Sequence, residues 1–134
     1  MNNKCICHAM KRLQKEQKII AGDDIKFQFI CKQKEVDTIP FMLFSKELKK
    51  PFKAVGKCNA TPFFRLEKID EESCCAVLTL LEAVDMDGNP AEPNDLYALR
   101  KTKRCVIVNL NCFCVIQPFA PDLVNRPLPI IEPK

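Results

Sequence analysis

From Ile25 onward the apolar residues of this chain fall at every second position and in short runs, and this spacing constrains the fold more than any other feature. Ile25, Phe27, Phe29 and Cys31 alternate with Lys26 and Gln28, which is the period of a strand with one face buried. Further candidate strands cover residues 40–45, 52–57, 62–69, 74–84, 96–99 and 105–117. Their separators are turn-forming. Lys46 to Pro51 carries four charges and ends in proline, Asp70 to Ser73 is an acidic turn, and Asp85 to Pro93 holds Asp-Gly and two prolines. Such a succession predicts an all-β fold, an antiparallel β-sandwich or barrel-like core, with residues 62–84 as its clearest hairpin. Ahead of it, Ile6, Met10, Leu13 and Ile20 keep a helical spacing that ends at Gly22, a residue suited to a helix cap.

Three segments follow from these patterns: a basic amino-terminal arm with a short helix over 1–22, a β core over 23–117, and an extended arm over 118–134. The last of these holds five of the ten prolines. Proline lacks the donor that a central strand needs, so this arm is expected outside the sheet. Its Leu123, Val124, Leu128, Ile130 and Ile131 are poorly suited to water and are expected to lie on the domain itself or on a neighbouring chain.

A chain of 134 residues builds one core. Three glycines are too few for a Gly-rich phosphate loop of either common kind. No apolar run reaches the ~20 residues that cross a bilayer, so no membrane association is expected. The first twenty residues lack the apolar centre of a secretory signal, which predicts synthesis in a cytosol. Lys4, Lys11, Arg12, Lys15 and Lys18 make this arm basic, yet the chain has no Trp and one Tyr on which bases could stack, and no nucleic-acid partner is expected. His8 is the only histidine and stands in no hydrolase signature. The string Asp85-Met86-Asp87-Gly88-Asn89 has its glycine at position four where a calcium loop needs it at six, so a hairpin turn is expected there. No enzyme and no cofactor are expected.

The nine cysteines are the chemistry that remains: Cys5, Cys7, Cys31, Cys58, Cys74, Cys75, Cys105, Cys112 and Cys114. A reducing cytosol keeps thiols apart, so they serve metal binding or are oxidised later, while some are simply small buried apolar groups. Cys5, Cys7 and His8 offer zinc-type donors, and Cys5, Cys7, Cys112 and Cys114 form a second possible set, although neither has the spacing of the common zinc knuckle. An odd number cannot pair completely within one monomer, which leaves a free or intermolecular thiol. On a continuous strand Cys112 and Cys114 would share a face about 6.5 to 7 Å apart, beyond the usual reach of a disulfide, so each would seek another strand or chain. Adjacent Cys74 and Cys75 would face opposite sides of a strand. Cys5 and Cys7 are expected on an arm outside the core.

Four stretches together resemble the cysteine-rich spore-surface proteins of the CotY, CotZ and ExsY family: Ile39 to Lys46, Thr61 to Glu67, Asp70 to Leu78, and Cys105 to Gln117 with its Cys112-Phe113-Cys114-Val115-Ile116-Gln117. The resemblance covers about residues 39 to 126. It implies a structural building block of the outermost spore layers, crust or exosporium, made in the mother-cell cytoplasm. Such a protein assembles with itself, in a hexamer-based sheet, and with other spore coat or exosporium proteins, hardened by intermolecular disulfides. The family-like cysteines are Cys58, Cys75, Cys105, Cys112 and Cys114. Pro118 stands where the family commonly has a further Cys, a Cys-rich segment before the first strands is missing, and the tail after Arg126 extends beyond the family pattern.

Overall fold

The computed structural model describes residues 5–22, 36–47, 50–56 and 60–129. The proposed strand at Ile25 to Cys31, Cys58 and the tail residues Ile130 and Ile131 lie outside them.

Helix α1 (Cys5–Ala21) is followed by β1 (Phe41–Ser45), a short ribbon of β2 (Ala54–Val55) and β3 (Ala60–Thr61), then β4 (Phe63–Asp70), β5 (Cys75–Val84), β6 (Ala98–Asn109) and β7 (Phe113–Pro118). The main sheet has the order β6-β5-β4-β1-β7, with every neighbouring pair antiparallel. The fold is therefore all-β with one short amino-terminal helix, as the alternation predicts. The layers that cover the sheet differ from a sandwich or barrel. Both central strands place apolar residues on both faces, Phe63 beside Phe64 on β4 and Leu80 beside Leu81 on β5, so each face needs cover. The helix supplies one cover and the carboxy-terminal segment the other.

On the first face Cys7, Met10 and Leu13 of α1 pack into a cluster with Phe41, Leu43, Phe64, Leu66, Leu78, Leu80, Leu110 and Phe113. The helix stops where Gly22 takes a positive φ of 82° and donates its N–H to the Ile19 carbonyl at 3.0 Å, a helix end that only glycine adopts without strain. On the second face Phe63, Leu81, Ala83 and Leu99 meet Val124, with Phe119 and Leu123 packed against them. The Asn125 N–H bonds the Leu99 carbonyl at 2.7 Å, Arg126 lies 4.0 Å over the Tyr97 ring, and the Tyr97 hydroxyl donates to the Pro127 carbonyl. The proline-rich segment thus lies on its own domain over this stretch.

Three local features interrupt the regular ladder between β4 and the start of β7. Glu67 is an extra residue in β4, where the register with β5 shifts between Leu66 and Lys68. A second shift, between Thr79 and Leu81 of β5, leaves Thr102 to Arg104 as a bulge on β6. Third, the expected strand 105–117 is two strands, separated by a tight turn at Leu110–Cys112. The turn has a local cause: the Asn109 side chain accepts from the Asn111 N–H at 3.0 Å, and buried Leu110 donates its N–H to the Cys74 carbonyl at 2.8 Å. Conversely, Arg100 to Arg104, which by its charge reads as a loop between strands, lies within β6, because an edge strand tolerates charge that a central one does not.

Candidate functional site

The thiols sort into buried and accessible groups by the element that carries them. Cys7 is on the sheet-facing side of α1 and only 5% exposed, so it belongs to the core and not to an outlying arm. Cys5 is exposed at the start of the same helix. Cys74 is buried in the β4–β5 turn rather than on the strand, with φ of 56°, and Cys75 opens β5 half-buried. The acidic residues before it form the turn itself, since Asp70 accepts from the Glu72 N–H and the Ser73 hydroxyl. Cys105, Cys112 and Cys114 are exposed.

The positions of these last three are informative. Cys105 lies on β6, one edge of the sheet; Cys114 lies on β7, the other edge; Cys112 sits in the turn that leads into β7. Cys114 is the extra residue where the β1–β7 register shifts, and its thiol donates to the Ser45 carbonyl at 3.7 Å. The turn removes the premise of a shared strand face for Cys112 and Cys114, but both remain accessible.

Cys105 ends a chain of polar contacts that crosses the sheet. Its sulfur is 3.7 Å from the Thr79 hydroxyl, which donates to Glu67 Oε1 at 2.7 Å. Arg65 donates Nη1 to the same Glu67 oxygen and Nε to the Thr38 hydroxyl at 2.8 Å. Thr38 in turn donates to Asp37, whose carboxylate takes both 2.6 Å bonds from Lys101 Nζ. Sequence reading misses this network, because Asp37 and Lys101 stand 64 residues apart and only the sheet order joins them.

Burial pushes both carboxyls up, but hydrogen bonds from Lys101 and Thr38 to Asp37, with the charges of Lys101 and Arg65, hold Asp37 below its ordinary value. The same balance lowers Glu67, through Thr79 and Arg65. A lowered folded-state value means stability present above the unfolded carboxyl range and lost as pH falls through the folded value. Thermal stability is therefore expected to drop below about pH 4.5, the ordinary value for Glu. The double variant Asp37→Asn/Glu67→Gln should have a flatter acid limb in a series of melting curves. An unchanged limb would remove these two groups from the acid response.

The zinc-type sets are not assembled. At about 100° per helical residue, Cys7 stands about 200° round from Cys5. Cys7 faces the sheet while Cys5 and His8 are exposed. Among the described residues no three His, Cys, Asp or Glu side chains come together where they could hold a metal ion. The Asp85 carboxylate accepts the N–H groups of Asp87 and Asn89, so it closes the expected hairpin turn. Among the described residues no helix is long and apolar enough to cross a membrane.

Comparison with known proteins identifies the family of the chain. A family model described as Spore coat protein Z matches residues 1–121. The chain belongs to the spore coat protein Z family. One relative, spore coat protein Z of Bacillus subtilis (strain 168), is 35% identical over 104 residues, which cover 67% of this chain and 68% of that protein. No solved structure matches the chain. The spore coat protein Z match begins at residue 1 and so takes in α1, which the resemblance over residues 39 to 126 leaves out.

Proposed function

We propose that this chain is a non-enzymatic structural subunit of the spore coat that assembles with copies of itself at the spore surface and is locked there by disulfides between subunits. Membership of the spore coat protein Z family supports the coat role. The observation that carries the finer reading is the placement of exposed cysteines on or next to both sheet edges, Cys105 at β6 and Cys112 and Cys114 at β7. A subunit with a reactive group at each of two opposite sites can be linked into a chain; a subunit with one such site stops at a dimer. An edge strand also offers backbone N–H and C=O groups to a neighbour, and the cations of β6 limit uncontrolled stacking. Cross-linking would follow assembly, as the compartment turns oxidising. The hexamer-based sheet, crust or exosporium placement and other coat partners extend the same proposal.

The test is air or diamide oxidation of the full-length protein followed by non-reducing electrophoresis, with electron microscopy of the same samples. The wild type is expected to give a ladder of covalent species and ordered assemblies. Cys105→Ser is expected to shift the ladder toward dimers, and the triple variant Cys105→Ser/Cys112→Ser/Cys114→Ser to lose it. A full ladder in the triple variant would sink the assignment to these three thiols.

A further inference from the structure

A cavity of about 390 Å³ lies between the β2–β3 ribbon, the β5–β6 pair and the loop that follows β5. Its lining carries five basic side chains, Lys53, Arg100, Lys101, Lys103 and Arg104, against the two carboxylates of Glu82 and Glu92. Four of these cations come from five consecutive positions of one strand. In a regular strand such neighbours point alternately to opposite faces, so Lys101 and Lys103 would be parted from Arg100 and Arg104. The β6 bulge breaks that alternation. Thr102 fastens it by donating its hydroxyl to the Leu80 carbonyl at 2.8 Å while accepting the Arg104 N–H at 3.1 Å.

Lys101 is neutralised by Asp37. Among the described residues Lys53, Arg100, Lys103 and Arg104 form no ion pair. With Lys101 paired to Asp37, these four exposed cations outnumber the carboxylates of Glu82 and Glu92 and leave the lining net positive. Pro62, Pro90 and Pro93 stiffen the opposite walls. The volume is in the range of small-molecule sites and too small for a folded partner. The Arg104 guanidinium among the cations favours a planar or tetrahedral oxyanion that can accept paired hydrogen bonds.

We propose that this cavity is a binding site for a small polyanion, of the size and charge of pyrophosphate or a tricarboxylate. The site does not depend on the cross-linking reading, and it is tested on the reduced full-length protein by isothermal titration at low salt. Pyrophosphate and citrate are titrated separately, which distinguishes a phosphoryl from a carboxylate ligand. Saturable one-site binding of at least one of them is expected. Lys103→Ser/Arg104→Ser is expected to weaken it by about tenfold or more, since charge-assisted bonds are lost.

The discriminating variant is Thr102→Val, which changes no charge but unfastens the bulge. It is expected to weaken binding several-fold, and Thr102→Ser, which keeps the hydroxyl, to restore it. Circular dichroism identical to the wild type qualifies each variant for comparison. Binding of neither anion, binding indifferent to the charge variant, or binding indifferent to Thr102→Val overturns the proposal.

Discussion

Replacing Phe64 by alanine is expected to cost the fold about 3–5 kcal/mol, the upper end of what loss of a single core side chain does. Phe64 has no exposed surface and sits on β4 where three contacts converge. Its ring stacks on Phe52 with centroids 5.5 Å apart, lies 6.4 Å from the Phe41 ring, and belongs to the cluster that the helix covers. Phe41 is also the one residue through which β1 pairs with β4, opposite Phe64, before the strands part. The other edge of β1 pairs with β7, while Phe52 donates its N–H to the Leu43 carbonyl at 2.7 Å. Truncation at Phe64 therefore opens a cavity at the joint between the β4–β6 half of the sheet and the β1–β7 half. Against a total stability of about 5–15 kcal/mol, the loss should bring the protein close to unfolding. Urea denaturation under reductant would measure it, and Phe64→Leu should recover more than half of the deficit. A loss under about 1 kcal/mol for Phe64→Ala would mean that this joint is not part of the cooperative core.

Gln17→Met is expected to cost about 2–6 kcal/mol for a different reason: its size is nearly conserved and its hydrogen bonds are not. Gln17 is a buried polar side chain on the sheet-facing side of α1. Its Nε2 donates to the Leu66 carbonyl at 2.9 Å, and its Oε1 accepts the Ile39 N–H at 3.0 Å. One amide thus ties the helix to the irregular stretch of β4 and to the segment entering β1. With methionine both backbone groups lose a buried partner, at about 1–3 kcal/mol each. Denaturation gives the total, and faster amide hydrogen exchange at Ile39 would locate it. Wild-type exchange at Ile39 in the variant would contradict the clamp.

Gln17 also marks the limit of what periodicity reveals. The stripe Ile6, Met10, Leu13 and Ile20 predicts the helix and its end at Gly22. The buried face, however, runs through Cys7, Met10, Leu13 and Gln17, slightly rotated, because a cysteine counts as apolar and an amide with both ends bonded can be buried at little cost. The hairpin at 62–84 is legible because its alternation and its acidic turn are local. Strand β6 does not read as one strand, because its centre is charged and only its place at the sheet edge makes that tolerable. The break before β7 does carry a local signal, the Asn109-Leu110-Asn111 string, since asparagine favours turns. Of the site, the family-like cysteines 105, 112 and 114 can be named from sequence. Their sharing of the two sheet edges depends on strand order, a property of contacts far apart along the chain. The cation cavity depends on the bulge, which no spacing in the sequence announces.

The docking of the carboxy-terminal segment has a consequence for how the protein is made. The face formed by Phe63, Leu81 and Leu99 is closed only when Phe119, Leu123 and Val124 arrive, after β7 has been made. A ribosome-bound chain that already contains every strand still presents that apolar face to solvent, together with its sheet edges. This segment, which follows β7 in the chain, therefore acts as the latch of the fold, with long-range contacts that form late. A chain cut short after β7 would not simply lack a tail: it would expose a sticky surface on every copy and should precipitate more readily than the chain that keeps residues 119–124.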